Sequence, residues 1–284
     1  MKIYQENLYP FLKSSKDFLM RSKTFKKFYN YQSRKKITNS YYSNKINLIK
    51  NWLWKDTEKE NFYYDLEKSN IEHMIHMISV VLKKDFDNLY SYVQELRDDS
   101  YLRRHLIKAH KESNYPKDTK IEYGRRIGWY VFARAIKPRL IIETGVHNGV
   151  GACILSAALM RNNSEGFTGR YIGTEIDKDM GQFLKGSYKE FGSISYGDSI
   201  ETLKGIDEEI DLFINDSDHS SNYEFLEYQA ISNKLSESAV ILGDNSHVTN
   251  SLMQFSKETK RNFLFFQENP LDHWYPGGGI GISF

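Results

Sequence analysis

The sequence predicts an α/β protein: a doubly wound, mostly parallel sheet preceded by an N-terminal helical extension. Three observations predict it. Short apolar runs ending in glycine or a carboxylate (RLIIETG, RYIGTEID, SISYGDS, DLFINDSD, AVILGDN) recur after Pro138 with helix-compatible sequence between them. Strands alternating with helices make a parallel sheet covered on both faces. None of the 18 glycines precedes residue 124, and glycine-free sequence with apolar residues every three or four positions reads as helix. Finally, 40% apolar against 27% charged residues supplies a packed core for a chain of 284 residues, enough for one α/β domain and its extension.

The elements follow in order. Residues 13–36 carry nine basic side chains (Lys13, Lys16, Arg21, Lys23, Lys26, Lys27, Arg34, Lys35, Lys36) against Asp17 alone, with Phe and Tyr interleaved. Such a segment suits a phosphate-binding arm. The reading adopted is a solvated basic helix face whose aromatics turn into the core. Ile71, Met74, Ile75, Ile78, Val81 and Leu82 form one helical stripe, and Leu89, Val93, Leu96 and Leu102 nearly continue it. These stripes need a partner surface, so residues 1–115 are expected to be a cap over the site or a subunit contact in a homo-oligomer. Residues 116–284 are expected to form the α/β domain. IEYGRRIGWYVFARAIKP reads as one amphipathic helix that stops before Pro138.

Ligands of parallel sheets sit at the carboxyl ends of the strands, where this chain places its carboxylates. The first strand runs into Glu143-Thr-Gly145-Val-His147-Asn-Gly149-Val-Gly151, then into the helical ACILSAALM. Glycines let the backbone turn tightly and approach a ligand at a helix N-terminus. The order G-x-x-x-G-x-G does not match the dinucleotide fingerprint G-x-G-x-x-G. Glu175, at the tip of the second strand, can accept both hydroxyls of a ribose, whereas Asp177 reads as a helix N-cap. Asp198 and Ser199 end the third strand and open the helix expected over 199–204. Asp216, Asp218 and His219 end the fourth, and Asp244 with Asn245 end the fifth. Neighbouring strands lie about 4.8 Å apart, so the last two clusters can converge. Two carboxylates and an amide oxygen suit Mg²⁺ better than zinc, and a metal would relieve the repulsion between Asp216 and Asp244.

The glycine order with Glu143 before it resembles motif I of class I S-adenosylmethionine-dependent methyltransferases, whose core is Rossmann-like. The aspartate followed one strand later by an Asp-Asn pair resembles the divalent-metal-dependent O-methyltransferases of the catechol, caffeoyl-CoA and macrocin types. The resemblance spans roughly residues 117–284. It implies cofactor contacts from Glu143, Gly145, His147, Gly149, Gly151, Glu175, Asp198, Ser199 and Asp216, and a Mg²⁺ or similar ion on Asp216, Asp244 and Asn245. It implies a small-molecule hydroxyl as methyl acceptor, with Asp216 and His219 catalytic. His219 stands where the catechol-type enzymes carry a lysine, and could take a proton near neutral pH. The N-terminal helices and the tail DHWYPGGGIGISF depart from the compact enzymes and look closer to bacterial methyltransferases of sugar and natural-product pathways. Metal-independent transfer with His219 as base is the alternative, followed by a nicotinamide-dependent oxidoreductase or a non-catalytic anion-binding protein.

Composition narrows the rest. A formal net charge of +2 gives no global reason to expect nucleic acid or a membrane surface as partner. The single cysteine, Cys153, excludes an internal disulfide framework and a multi-cysteine zinc site. With no membrane-length apolar run and no signal-like N-terminus, a cytoplasmic location is expected.

Overall fold

The structure, a computed structural model, describes residues 20–55, 58–113 and 120–284. Lys13, Lys16 and the expected boundary at 115/116 lie outside the described residues. Two compact units form, Met1–Lys55 and Asp56–Phe284. In the first, helix α1 (Lys23–Trp52) follows Ser22 as N-cap. None of its residues is buried, and Phe28 and Tyr31 are each 58% exposed. The expectation that these aromatics turn into a core is therefore corrected. Phe25, Phe28 and Tyr31, three residues apart, share one side of the helix and Ile37 falls on the opposite one.

The second unit begins with α2 (Lys68–Leu82), α3 (Phe86–Asp98) and α4 (Ser100–Glu112). Asp85 and Asp99 cap the latter two, accepting hydrogen bonds from Asn88 N at 3.2 Å and Leu102 N at 2.8 Å. The stripe residues Ile71, Met74, Ile75, Ile78, Leu89, Val93, Leu96 and Leu102 are buried in one core with the sheet. Helix α5 covers Arg126–Ile136 rather than the longer segment expected, because Gly124 takes a left-handed φ of +48° and breaks the run. It ends with Lys137, left-handed before Pro138.

The remaining elements are β1 (Leu140–Thr144), α6 (Val150–Ser164), β2 (Arg170–Glu175), β3 (Gly192–Tyr196), α7 (Ser199–Lys204), β4 (Ile210–Asn215), α8 (Ser221–Ile231), β5 (Leu235–Gly243), α9 (Ser251–Glu258), β6 (Phe263–Gln267) and β7 (Gly279–Ser283). They build a seven-stranded sheet of order β3-β2-β1-β4-β5-β7-β6, in which only the pairings of β7 are antiparallel. All five expected strands are present, and β6 with β7 adds a pair that the sequence reading did not assign, β7 lying in the tail DHWYPGGGIGISF. Side chains alternate between the two faces with the period of a strand. Ile141, Leu212, Ile214, Val240 and Leu242 meet helices α2 to α6. Leu140, Ile142, Phe213 and Ile241 meet the residues of α7 to α9.

A buried cation ties the helical layer together. Arg134 on α5 is 2% exposed and pairs with Glu95 of α3 at 2.7 Å and Glu165, beyond α6, at 2.5 Å. Tyr130 Oη donates to the same Glu95 carboxylate at 2.6 Å. Among the described residues no helix is long and apolar enough to cross a membrane.

Candidate active site

Register brings the strand ends to one edge. Thr144 of β1 pairs with Thr174 of β2 and Asn215 of β4, and Asn215 pairs with Gly243 of β5. The next residue of each strand, or the strand's own tip in β2, is therefore Gly145, Glu175, Asp216 or Asp244. The order of strands reverses between β1 and β4, so the loops leaving them diverge and open a crevice. Gly145, His147, Thr174, Glu175, Ile176, Gly197, Asp198, Ser199, Asp216 and Asp218 line a cleft of about 490 Å³ there.

The glycine loop is built for close approach. Gly145 has φ +81°, and a Cβ on it would lie 2.1 Å from the Asp216 carbonyl oxygen. His147 stacks on Phe62 with ring centroids 4.9 Å apart. Its backbone N donates to Glu175 Oε2 at 2.7 Å, while Asp177 N donates to Oε1 at 3.0 Å. The Glu175 carboxylate is thus held in one orientation at the cleft, each oxygen keeping a lone pair for a ligand hydroxyl. Asp198 lines the cleft and also caps α7, accepting from Ile200 N at 2.8 Å. Asp177 caps a turn instead of the expected helix, accepting from Asp179 N at 2.9 Å.

Glu143, Gly149 and Gly151, expected as cofactor contacts, do not line this cleft. Gly149 opens α6 as its N-cap. Glu143 is 2% exposed beneath the loop and accepts from Tyr171 Oη at 2.6 Å; burial pushes its pKa up to about 7. A side chain at Gly151 would collide with it, a Cβ falling 2.5 Å from Glu143 Oε1. These residues shape the loop from below.

At the other side of Asp216 the carboxylates converge as expected. One oxygen of Asp216, one of Asp244 and a ring nitrogen of His219 lie within 4.8 Å of one another. Burial, with Asp244 adjacent, pushes the Asp216 carboxyl well above the usual carboxylate range. His219 places Nδ1 3.4 Å from Glu224 Oε1 and Nε2 3.1 Å from Asn245 Nδ2. With Asn245 donating, the neutral imidazole carries its proton on Nδ1, toward Glu224, and keeps its lone pair on Nε2. The hydrogen bond to Glu224 raises the His219 pKa above its ordinary value.

Sequence reasoning missed four groups. Arg125, just ahead of α5, places Nε 2.5 Å from Asp244 Oδ1 and a terminal nitrogen 3.6 Å from Asp216 Oδ2. Glu224 orients His219. Glu227 of α8, fully buried, accepts from Ser217 Oγ at 2.8 Å, from Thr144 Oγ1 at 3.3 Å, and from Ser199 and Asn215, so it fastens the floor of the cleft. Glu268, also buried, accepts from Tyr64 Oη at 2.8 Å. Nothing local distinguishes these from surface charges. The only signal was that Glu224 and Glu227 share one helical stripe with the apolar Tyr228 and Ile231.

The expected metal set fits poorly. Asn245 turns its amide nitrogen, a donor, toward Asp244 Oδ2 at 2.9 Å. Arg125 already neutralises the pair. An ion held at about 2.1 Å by the Asp244 oxygen that faces Arg125 would lie within about 5 Å of the guanidinium. At an effective dielectric near 20, a divalent ion about 4 Å from a unit positive charge is repelled by about 8 kcal/mol.

Comparison with known proteins finds a match over the same elements. Residues 142–246 match the model of a methyltransferase domain. That segment runs from β1 to just past β5 and carries the cleft. Among solved structures, the O-methyltransferase TomG from Streptomyces achromogenes, involved in tomaymycin synthesis and solved with SAM, is similar at 15% identity, over 66% of this chain and 90% of that chain, with a TM-score of 0.50. Cofactor-bound Rv0187 from MTB is similar at 17% identity over the same shares, with a TM-score of 0.51. At these identities the structural likeness shows the fold. No curated protein matches the chain.

Proposed function

We propose that this S-adenosylmethionine-dependent methyltransferase transfers its methyl group to a hydroxyl oxygen of a small molecule, a sugar or natural-product intermediate, with His219 as the base. One observation carries the reading: Asp216 lines the cofactor cleft on one side and belongs to the His219–Asp244 cluster on the other. A methyl donor in the cleft would present its sulfonium near Asp216, beside a cluster whose His219 can accept a proton from the acceptor.

Glu175 would hold the ribose hydroxyls, and Asp198 with Ser199 would face the adenine. The acceptor O–H takes the place of the Asn245 amide at His219 Nε2 and gives its proton there, with Glu224 behind Nδ1. The oxygen then forms a bond to the methyl carbon as the carbon–sulfur bond breaks, and the electron pair stays on sulfur in S-adenosylhomocysteine. Alignment of oxygen, methyl carbon and sulfur supplies most of the rate, with proton removal adding to it.

Metal-assisted deprotonation is the second reading, favoured by the three donor atoms within 4.8 Å. A divalent ion there would lower the pKa of the acceptor hydroxyl. Incubation with methyl-labelled S-adenosylmethionine and a panel of hydroxylated sugars and natural products, with and without chelator, tests both. Label in an ether product, formed equally in chelator, supports the first reading; product lost in chelator supports the second. Calorimetry showing affinity for NAD and none for S-adenosylhomocysteine would overturn both.

A further inference from the structure

We propose that Arg125 is the resident cation of the carboxylate cluster, holding Asp216 and Asp244 together as a divalent ion would and keeping such an ion out. The guanidinium side chain is 12% exposed and contacts both carboxylates, Asp244 at 2.5 Å and Asp216 at 3.6 Å. Its terminal nitrogen donates to Tyr64 Oη at 3.3 Å, and Tyr64 in turn donates to Glu268 Oε2 at 2.8 Å. Three acids, from the ends of β4, β5 and β6, are thereby tied to one cation, Asp244 and Glu268 buried and Asp216 half-buried. The Trp129 ring, 6.0 Å from the guanidinium carbon, backs it from the helix side.

The choice of cation has chemical consequences. A guanidinium stays protonated throughout the working pH range, cannot be chelated, and is fixed to the chain. Two carboxylates brought this close would otherwise take up a proton or a metal. Arg125 removes the need for either at Asp244. It also puts a positive charge at the place where an incoming Mg²⁺ would need negative charge. The three-atom donor set of Asp216, His219 and Asp244 is, on this account, a metal site closed by an arginine. Arg125 acts through the carboxylates, so it is a positioning residue.

The inference refines the methyl-transfer reading, but its test does not depend on turnover. Mn²⁺ alone is titrated into the purified protein and free Mn²⁺ is followed by electron paramagnetic resonance. The wild type is expected to leave the free signal unchanged at equimolar metal. Arg125→Met is expected to bind one Mn²⁺ at least about tenfold more tightly than wild type, given the repulsion removed. Adding Asp244→Asn to that variant should abolish the gain, and Arg125→Lys, which keeps the charge, should still exclude the ion. A purely structural role for Arg125 would not make its removal create a metal site. Wild-type binding of one Mn²⁺ that is lost in Asp244→Asn overturns the proposal, and this measurement needs no Arg125 variant. A folded Arg125→Met that binds no Mn²⁺ overturns it equally; if that variant does not fold, Arg125→Gln takes its place. Calorimetry with S-adenosylhomocysteine on the same samples reports separately on the methyltransferase reading.

Discussion

Replacing Glu175 by alanine isolates the proposed ribose contact from everything else in the cleft. The carboxylate is already oriented by His147 N at 2.7 Å and Asp177 N at 3.0 Å, so a ribose would meet it without ordering a side chain. Two hydroxyls donating to it make two charge-assisted bonds, each contributing about 1.5–3 kcal/mol. Water entering the open cleft recovers part of the loss, leaving about 2–4 kcal/mol. That corresponds to roughly 30- to 700-fold weaker binding. The two backbone amides also lose their acceptor, but water can reach them, so the fold should lose no more than about 1 kcal/mol. The assay is calorimetric titration with S-adenosylhomocysteine, beside a thermal melt of the same variant. Glu175→Gln, which keeps the shape without the charge, should fall between wild type and alanine. A folded Glu175→Ala protein with wild-type affinity would refute the placement of the ribose.

Four further outcomes are expected. His219→Ala should slow turnover by roughly 10²–10⁴-fold with S-adenosylhomocysteine affinity unchanged; near-normal turnover would assign the proton to another group. Because the Glu224 hydrogen bond raises the His219 pKa, the base form appears as pH rises. The log of kcat/KM should climb through an inflection above the ordinary value of 6.5, and Glu224→Gln should move that inflection down. For stability the sign is opposite: the raised pKa stabilises the fold fully below 6.5 and loses that contribution as pH rises through the folded value. With Arg125 as the cluster's cation, turnover should persist in excess chelator, measured by labelled-methyl transfer; abolition would favour the metal reading. Arg134→Met should destabilise the second unit by about 2–4 kcal/mol in urea titration, because Glu95 loses its buried partner. Glu95 and Glu165 are partly exposed, which keeps the figure toward the lower end.

The strands, their order along the chain and the carboxylates at their ends were legible in the sequence, because each is a local property. Leu140–Ile142 and Leu212–Ile214 are short apolar runs punctuated by glycine or acid, and a parallel sheet sends every such run to the same edge. Glu175, Asp198, Asp216 and Asp244 were found by that rule alone. What decided their chemistry was not local. Arg125 sits in GRR ahead of a helix and looks like any solvated base until folding places it on Asp244, far along the chain. Glu224 and Glu227 drew no reading from the sequence, yet packing buries both, one behind His219 and one under the cleft floor. The glycine-rich tail drew no strand assignment from the sequence. Its role as β7 depends on fitting between β5 and β6, where a Cβ at Gly279 would lie 2.1 Å from the Phe265 ring. Even Asn245, correctly expected at the end of β5, turned its donor rather than its oxygen to the cluster. Period and punctuation along a chain determine which residues reach an edge. Which charges meet there, and whether an arginine or a metal balances them, depends on distances through space that only the packed fold sets.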